Sequence, residues 1–205
     1  ERALLIKAGG SEGKSTLIAI LRMLFPEDAC SAVAPQRMED EYQRAHLAGK
    51  RLNMVAEMPS ADILDSETFK SVVTGKDLVN GRFPHGRPVD FLPQAAHVFA
   101  CNTLPKVRDV SEGFWRRWIL LPLTHRFADH EKVRDIEERI IREERAAIVN
   151  WFLGAASDLL GSKAYDIPRT CQVAIDEWRG ECNTVGVWFG EHCRPSEPGE
   201  RGNLA

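Results

Sequence analysis

The chain has no CxxC pair, no apolar run long enough to span a bilayer, no internal repeat, no low-complexity block and no excess of positive charge. Each absence narrows the function. The five cysteines, Cys30, Cys101, Cys171, Cys182 and Cys193, are odd in number and too scattered to support a disulfide framework or a zinc ribbon. The last three recur every eleven residues, about three helical turns. That spacing suits buried thiols on helix faces, in a reducing and cytoplasmic setting, better than a metal site. A membrane-spanning helix needs roughly 20 consecutive apolar residues, so no membrane partner is expected. A formal net charge of -3 and an isoelectric point near 6.1 exclude polyanion binding by overall charge. Any nucleic-acid contact has to come from a local basic patch or from the inside of a ring. An initiating methionine is also missing: the chain begins at Glu1 and is expected to be an excised fragment. Its 205 residues, 43% hydrophobic and 28% charged, suit one globular domain or one with a small appendage.

What is there begins with Ala8-Gly9-Gly10-Ser11-Glu12-Gly13-Lys14-Ser15-Thr16, set between ALLIK and LIAILRMLF. A phosphate chain needs several backbone N–H donors aimed inward, a point positive charge and a hydroxyl that helps to hold Mg²⁺. Glycines let a loop curl until its amides converge. Lys14 would reach the β- and γ-phosphates of a nucleotide. Ser15 would ligate the metal at a helix N-terminus, where the dipole favours anions. The flanks agree, because ALLI reads as a short buried strand. Leu17, Ile18, Ile20, Leu21, Leu24 and Phe25 form the apolar face of a helix over 15–25 that Pro26 ends. Ala8 stands where the common phosphate-loop pattern has its first glycine. The bland alternative is a glycine-rich surface turn.

Further along, MEDEYQRAHLAG reads as a helix closed by Gly49, and Leu52, Met54, Val55 and Ala56 as a buried strand with Glu57 at its carboxyl end. Carboxyl ends of parallel strands form the ligand edge of an α/β sheet, so Glu57 is expected beside the phosphate loop. LDSETFKSVVTG is a short helix capped at Asp65 or Ser66 and ended by Gly75. Leu78–Val79 and Val89–Phe91 read as the arms of a β-hairpin with a long basic tip carrying Arg82, His85 and Arg87, with Lys76 at its base. Residues 95–101 form another buried strand ending at Asn102. Ser111 caps a short helix leading into Trp115-Arg116-Arg117-Trp118, and ILLPL is a further strand. From His130 the character turns helical, with a long charged-then-apolar segment, a helix opened by Pro168 and running through Glu181, and a last one over 184–193. Trp151, Trp178 and Trp188 lie at helical spacing among apolar residues and read as core. The tail, 194–205, is polar and expected to be disordered.

The order AGGSEGKST, GKRLNMVAEMP, FKSVVTGKDLVNGR, FACNTLPKVRD, FWRRWILLPL resembles the ATPase domain of superfamily-3 helicases, closest to the phage, plasmid and poxvirus-type primase-helicases. The resemblance extends through IVNWFLGAASDLLG and WRGECNTVGVWFGEHC. It implies an α/β fold: a P-loop, AAA+-like ATPase core with a central parallel sheet over 1–128, a basic β-hairpin, and a helical C-terminal part over 129–193. It implies ATP and Mg²⁺ as cofactors. The loop residues Ala8 to Thr16 would bind nucleotide, Lys14 and Ser15 meeting phosphate and metal. Glu57 would orient or deprotonate the attacking water, and Asn102 would sense the γ-phosphate. Ala56 stands where many such ATPases have Asp, so the metal-holding and base roles around Glu57 stay open. Lys70 and Lys76 fall in the family's additional motif. Arg117, or less aptly Arg116, would act as an arginine finger on a neighbouring subunit's nucleotide. Lys76, Arg82, His85 and Arg87 would hold single-stranded DNA or a forked duplex inside a homo-hexameric ring. A linked primase or other replication domain and a bacterial host, phage or mobile-element setting belong to the same picture. Two other readings stand beside the helicase: an ATP switch that loads replication proteins without unwinding, and a monomeric P-loop phosphotransferase.

Overall fold

The computed structural model describes residues 2–59, 67–109, 111–183, 186, 188, 189, 192 and 193. Among the described residues, seven strands and six α-helices follow one another: β1 (Ala3–Lys7), α1 (Lys14–Met23), β2 (Cys30–Ser31), α2 (Glu41–Ala45), β3 (Leu52–Val55), α3 (Glu67–Thr74), β4 (Val79–Arg82), β5 (Pro88–Phe91), β6 (Ala96–Cys101), α4 (Glu112–Trp115), β7 (Trp118–Pro122), α5 (Ile136–Ser162) and α6 (Arg169–Cys182). Five strands make one sheet in the order β2-β3-β6-β1-β7, and every pairing in it is parallel. β4 and β5 form a separate antiparallel pair.

β1 is buried on both faces, as an apolar run in a parallel sheet has to be. Ala3 and Leu5 join a cluster with Phe69, Phe99, Phe114, Trp118 and Trp178. Ile6 faces the other way and meets Ile18, Met54 and Ala100, with Leu4, Leu17 and Leu21 at its margin. The first cluster is aromatic-rich. Phe69 stacks on Trp118 with ring centroids 4.6 Å apart, and Trp115 meets Trp178 edge-on at 5.2 Å. Trp178 also donates its indole N–H to the Pro105 carbonyl at 3.0 Å. This ties α6 to the loop that follows Asn102.

One buried polar network sets the register of the strands that carry the candidate site. Asn53, opposite His97 across β3 and β6, is fully buried. Its side-chain oxygen accepts from the Val33 amide at 2.8 Å and from the Ser31 hydroxyl at 3.0 Å. Its side-chain nitrogen donates to the Val33 carbonyl at 2.8 Å and lies 3.2 Å from His97 Nδ1. With the amide so oriented, Nδ1 accepts and the proton sits on Nε2. Burial holds the imidazole neutral, pushing it down to about 4, against a smaller opposing pull from the Val72 backbone.

Several expectations shift. β2 is an element that the polar composition of residues 27–40 concealed; two residues are too few to show a period. The hairpin arms are longer and its tip shorter than the sequence indicates, because Arg82 lies inside β4. The caps expected at Asp65 and Ser66, and the tail over 194–205, fall outside the described residues. Trp178 is core as expected, but Trp151 is 70% and Trp188 53% exposed. α5 packs on α1, and its partly covered residues cluster in its first two turns, while beyond Ile141 only Ile148 and Leu159 are partly covered. Apolar spacing identifies a face; it does not say what covers that face. Among the thiols, Cys101 and Cys171 are buried as expected, Cys30 and Cys182 half-buried, and Cys193 exposed.

Candidate nucleotide site

The loop after β1 has the backbone that a phosphate cradle requires. Gly10 (φ 129°) and Gly13 (φ 80°) adopt conformations disfavoured for side-chain-bearing residues, and Ser11 joins them at φ 62°. A left-handed non-glycine residue is uncommon and costs on the order of 1 kcal/mol or more. Gly13 is the N-cap of α1, so the free amides of the helix start open into the loop. Ala8, in the position where glycine is usual, is not among the positive-φ residues and is buried beneath the loop. Its amide donates to the Cys101 carbonyl at 3.2 Å. The loop is fastened at its far side by the Phe127 amide, which donates to the Ser11 carbonyl at 2.8 Å. Gly9, Gly10, Ser11 and Ser15 are exposed, and Thr16 is half-buried. The Gly10 amide donates to the Glu12 carboxylate at 3.1 Å, so the loop already receives an anionic oxygen, from its own side chain.

Three side chains from three elements converge at the carboxyl edge of the sheet. Lys14, at the start of α1, donates to Glu57 Oε2 at 2.9 Å and to Asn102 Oδ1 at 2.5 Å. Lys14 is only 11% exposed and Glu57 61%: a sheltered ammonium and an open carboxylate. Glu57 stands two residues beyond β3, where the Met58 amide donates to the Ala100 carbonyl at 2.7 Å and pins the turn to β6. Asn102 directly follows β6. Beneath them Cys101 is fully buried. Burial pushes its thiol up to about 11, with Lys14 pulling the other way, so it stays protonated and unreactive.

The remaining candidates lie elsewhere. Lys70 pairs with Asp109 at 2.9 Å. Arg117 is half-buried: Nε and Nη2 donate to the Thr74 hydroxyl at 3.1 and 2.7 Å, and Nη1 donates to the Gly113 carbonyl. Arg116 is exposed and lines a cleft of about 210 Å³ with Glu112 and Arg179. Arg117 precedes β7, and its carbonyl accepts from the Ala3 amide at 2.7 Å. Both arginines therefore lie at the amino end of the sheet, opposite Lys14. On the hairpin, His85 (φ 59°) and Arg87 are exposed at the tip, while Arg82 is half-buried and donates to the Gly86 carbonyl at 3.2 Å. Lys76 is exposed at the hairpin base. Sequence reading missed Glu12 as an occupant of the loop and Thr74 as the partner of Arg117. Neither has a signal beyond being polar.

Residues 6–117, from Ile6 near the end of β1 to Arg117, match the family described as a family of unknown function, DUF5906. The chain belongs to this family. The match takes in the phosphate loop, Glu57, the hairpin and Asn102. A protein of Acanthamoeba polyphaga mimivirus, whose name gives helicase as an inferred activity, is 25% identical over 133 residues, 62% of this DUF5906 chain and 14% of that protein. The C-terminal region of NrS-1, in an apo structure, aligns over 69% of this chain and 34% of its own, at 18% identity and a TM-score of 0.55. A second apo structure of that region gives 0.51 at 14% identity. A JCV helicase aligns over 90% of this chain and 52% of its own at 14% identity, with a TM-score of 0.44. The chain thus spans a minor part of the NrS-1 region and of the mimivirus protein. What the NrS-1 likeness establishes is the fold: α/β, with a five-stranded parallel sheet, a small hairpin and C-terminal helices. No helix among the described residues is long and apolar enough to cross a membrane.

Proposed function

We propose that this chain is the ATP-driven motor of a replication helicase, hydrolysing ATP at subunit interfaces and moving the basic hairpin along single-stranded DNA. The observation that carries the reading is the convergence of Lys14, Glu57 and Asn102 beside a loop whose backbone accepts an anion. The mimivirus relative supports it by name, and the motif order supports it by resemblance. In this reading Lys14 turns from its two partners to the β- and γ-phosphates. Glu57, released, holds a water in line with the γ-phosphorus and takes its proton, and the Asn102 amide fixes that water or a γ-oxygen. An exposed Ser15 hydroxyl and the open Glu57 carboxylate are hard oxygen donors of the kind that Mg²⁺ takes. When bound, the ion would neutralise phosphate charge. Residues 1–128 form the nucleotide-handling unit and 129–193 a helical unit whose α6 shares the same core. Six copies would set the hairpins around the strand, and the complete protein would carry a primase or other replication domain.

The test is ATPase rate with and without single-stranded DNA at several protein concentrations. Turnover should rise with both. Lys14→Ala should abolish it while leaving the thermal transition near that of the wild type, since the ammonium meets only site residues. Undiminished turnover in that variant would reduce AGGSEGKST to a turn. ATPase without separation of a forked duplex would favour the ATP switch over the helicase.

A further inference from the structure

Cations on the hairpin account for phosphates, yet the surface beside them is aromatic. Phe83, the first residue of the tip turn, is 45% exposed, and its carbonyl accepts from the Gly86 amide at 2.8 Å. Its ring meets that of His46 nearly perpendicular, with centroids 5.6 Å apart. His46 closes α2 and is exposed. Tyr42, 42% exposed, lies four residues earlier, which places it on the same helix face. None of the three rings belongs to the core. They are nevertheless held firmly. A Cβ on Gly81 of β4 would come within 2.8 Å of the Ala45 backbone, so strand and helix touch main chain to main chain. Arg44 donates to the Asn80 carbonyl on β4 and, at 2.7 and 3.0 Å, to the Met38 and Glu39 carbonyls. Hairpin and α2 therefore form one rigid surface.

Charge on that surface is divided. Arg82, Arg87 and the polar His85 stand on the hairpin, with one exposed carboxylate, Asp90, on β5, whereas Glu39, Asp40 and Glu41 precede Tyr42 on the α2 side. A phosphate backbone is drawn to the first and repelled by the second, but an uncharged nucleobase is free to lie against aromatic faces. The geometry points to a base-stacking platform: Phe83, with His46 and Tyr42, seats unpaired bases of the strand whose phosphates the hairpin cations hold. A duplex, with its bases already stacked on one another, has no free faces to offer, so the platform selects single strands. The inference rests on the hairpin being the DNA grip.

Affinity of the full chain for an oligothymidylate and for an abasic oligomer of equal charge, across a salt series, separates the two ideas. Phe83→Leu should weaken oligothymidylate binding about tenfold with the salt slope unchanged, and leave abasic binding as in the wild type. His46→Leu, outside the tip turn, should act the same way if Phe83→Leu proves unstable. His85→Ala with Arg87→Ala should instead weaken both oligomers and flatten the salt slope. Equal losses on both oligomers in Phe83→Leu, or no loss on either, overturn the platform while the grip survives. A wild-type chain that binds neither oligomer removes the grip and the platform together.

Discussion

At the scale of single residues, the polar side chains that matter most are a buried pair. Asn53 and His97 are buried together, and between them they fix the edge strand β2 and the register of β3 against β6. Those two strands lead into Glu57 and Asn102, so the geometry of the site depends on an imidazole five strand residues before Asn102, about 16 Å away. The arrangement has a pH signature. Unfolded, His97 takes up a proton near its ordinary value of 6.5; folded, it does so only near 4. Between those values the unfolded chain binds more protons than the folded one, so stability falls as pH drops from about 6.5 toward about 4. From pH 7 to pH 5 the loss from this residue is about 2 kcal/mol. Urea unfolding of the wild type and of His97→Gln at both pH values measures it. The wild type should lose more stability than the variant on acidification; equal losses would show that His97 is not held neutral.

At the scale of elements, the hairpin depends on one close approach. Gly81 needs no unusual backbone angle; it is required because the Ala45 main chain lies where a side chain would go, with its Cα at 2.8 Å and its amide nitrogen at 2.9 Å from an added Cβ. Gly81→Ala should push β4 off α2, costing about 1–3 kcal/mol and weakening single-strand binding, with the Lys14 site untouched and basal ATPase retained. An unchanged melting temperature would mean that the hairpin already moves freely on α2. This contact could not be found from sequence, since Gly81 and Ala45 are joined by no local pattern. The phosphate loop could be, because its cause is local: glycine placement, a buried strand before it and an amphipathic helix after it. Glu57 and Asn102 were legible for a related reason, as polar residues ending apolar runs at the edge of a parallel sheet. The roles of α5 were not. IVNWFLGAASDLL has the composition of a buried helix, yet Trp151 and Leu160 are exposed, the latter 78%. Composition records what a helix can bury, and the partner that buries it is not written in the same segment.

For the whole molecule, the question is what completes the site. Lys14 follows the carboxyl end of β1, whereas Arg116 and Arg117 lie at the amino end, beyond a strand of five residues or about 16 Å. Neither arginine reaches its own phosphate loop, so either can act on a γ-phosphate only in a neighbouring copy. The two differ in freedom. Arg117 is engaged with Thr74 and the Gly113 carbonyl, bracing α3 against α4. Arg116 is exposed, and among the described residues its side chain has no hydrogen bond or ion pair; Glu112, its acidic neighbour, pairs with Arg179 at 2.5 Å. Arg116→Ala should therefore melt like the wild type, and Arg117→Ala several degrees lower. In the ring reading, the variant that removes the finger still binds ATP but hydrolyses it slower by on the order of a thousandfold or more. Mixing decides which one that is. Each arginine variant is combined with Lys14→Ala, which supplies intact arginines but a dead loop. Some interfaces then pair a working loop with a working finger, and ATPase returns in part for the true finger. A fold defect in Arg117→Ala would leave the activity low however the proteins are mixed. Full turnover by both arginine variants as dilute monomers would mean that the site completes itself and that no neighbour is needed.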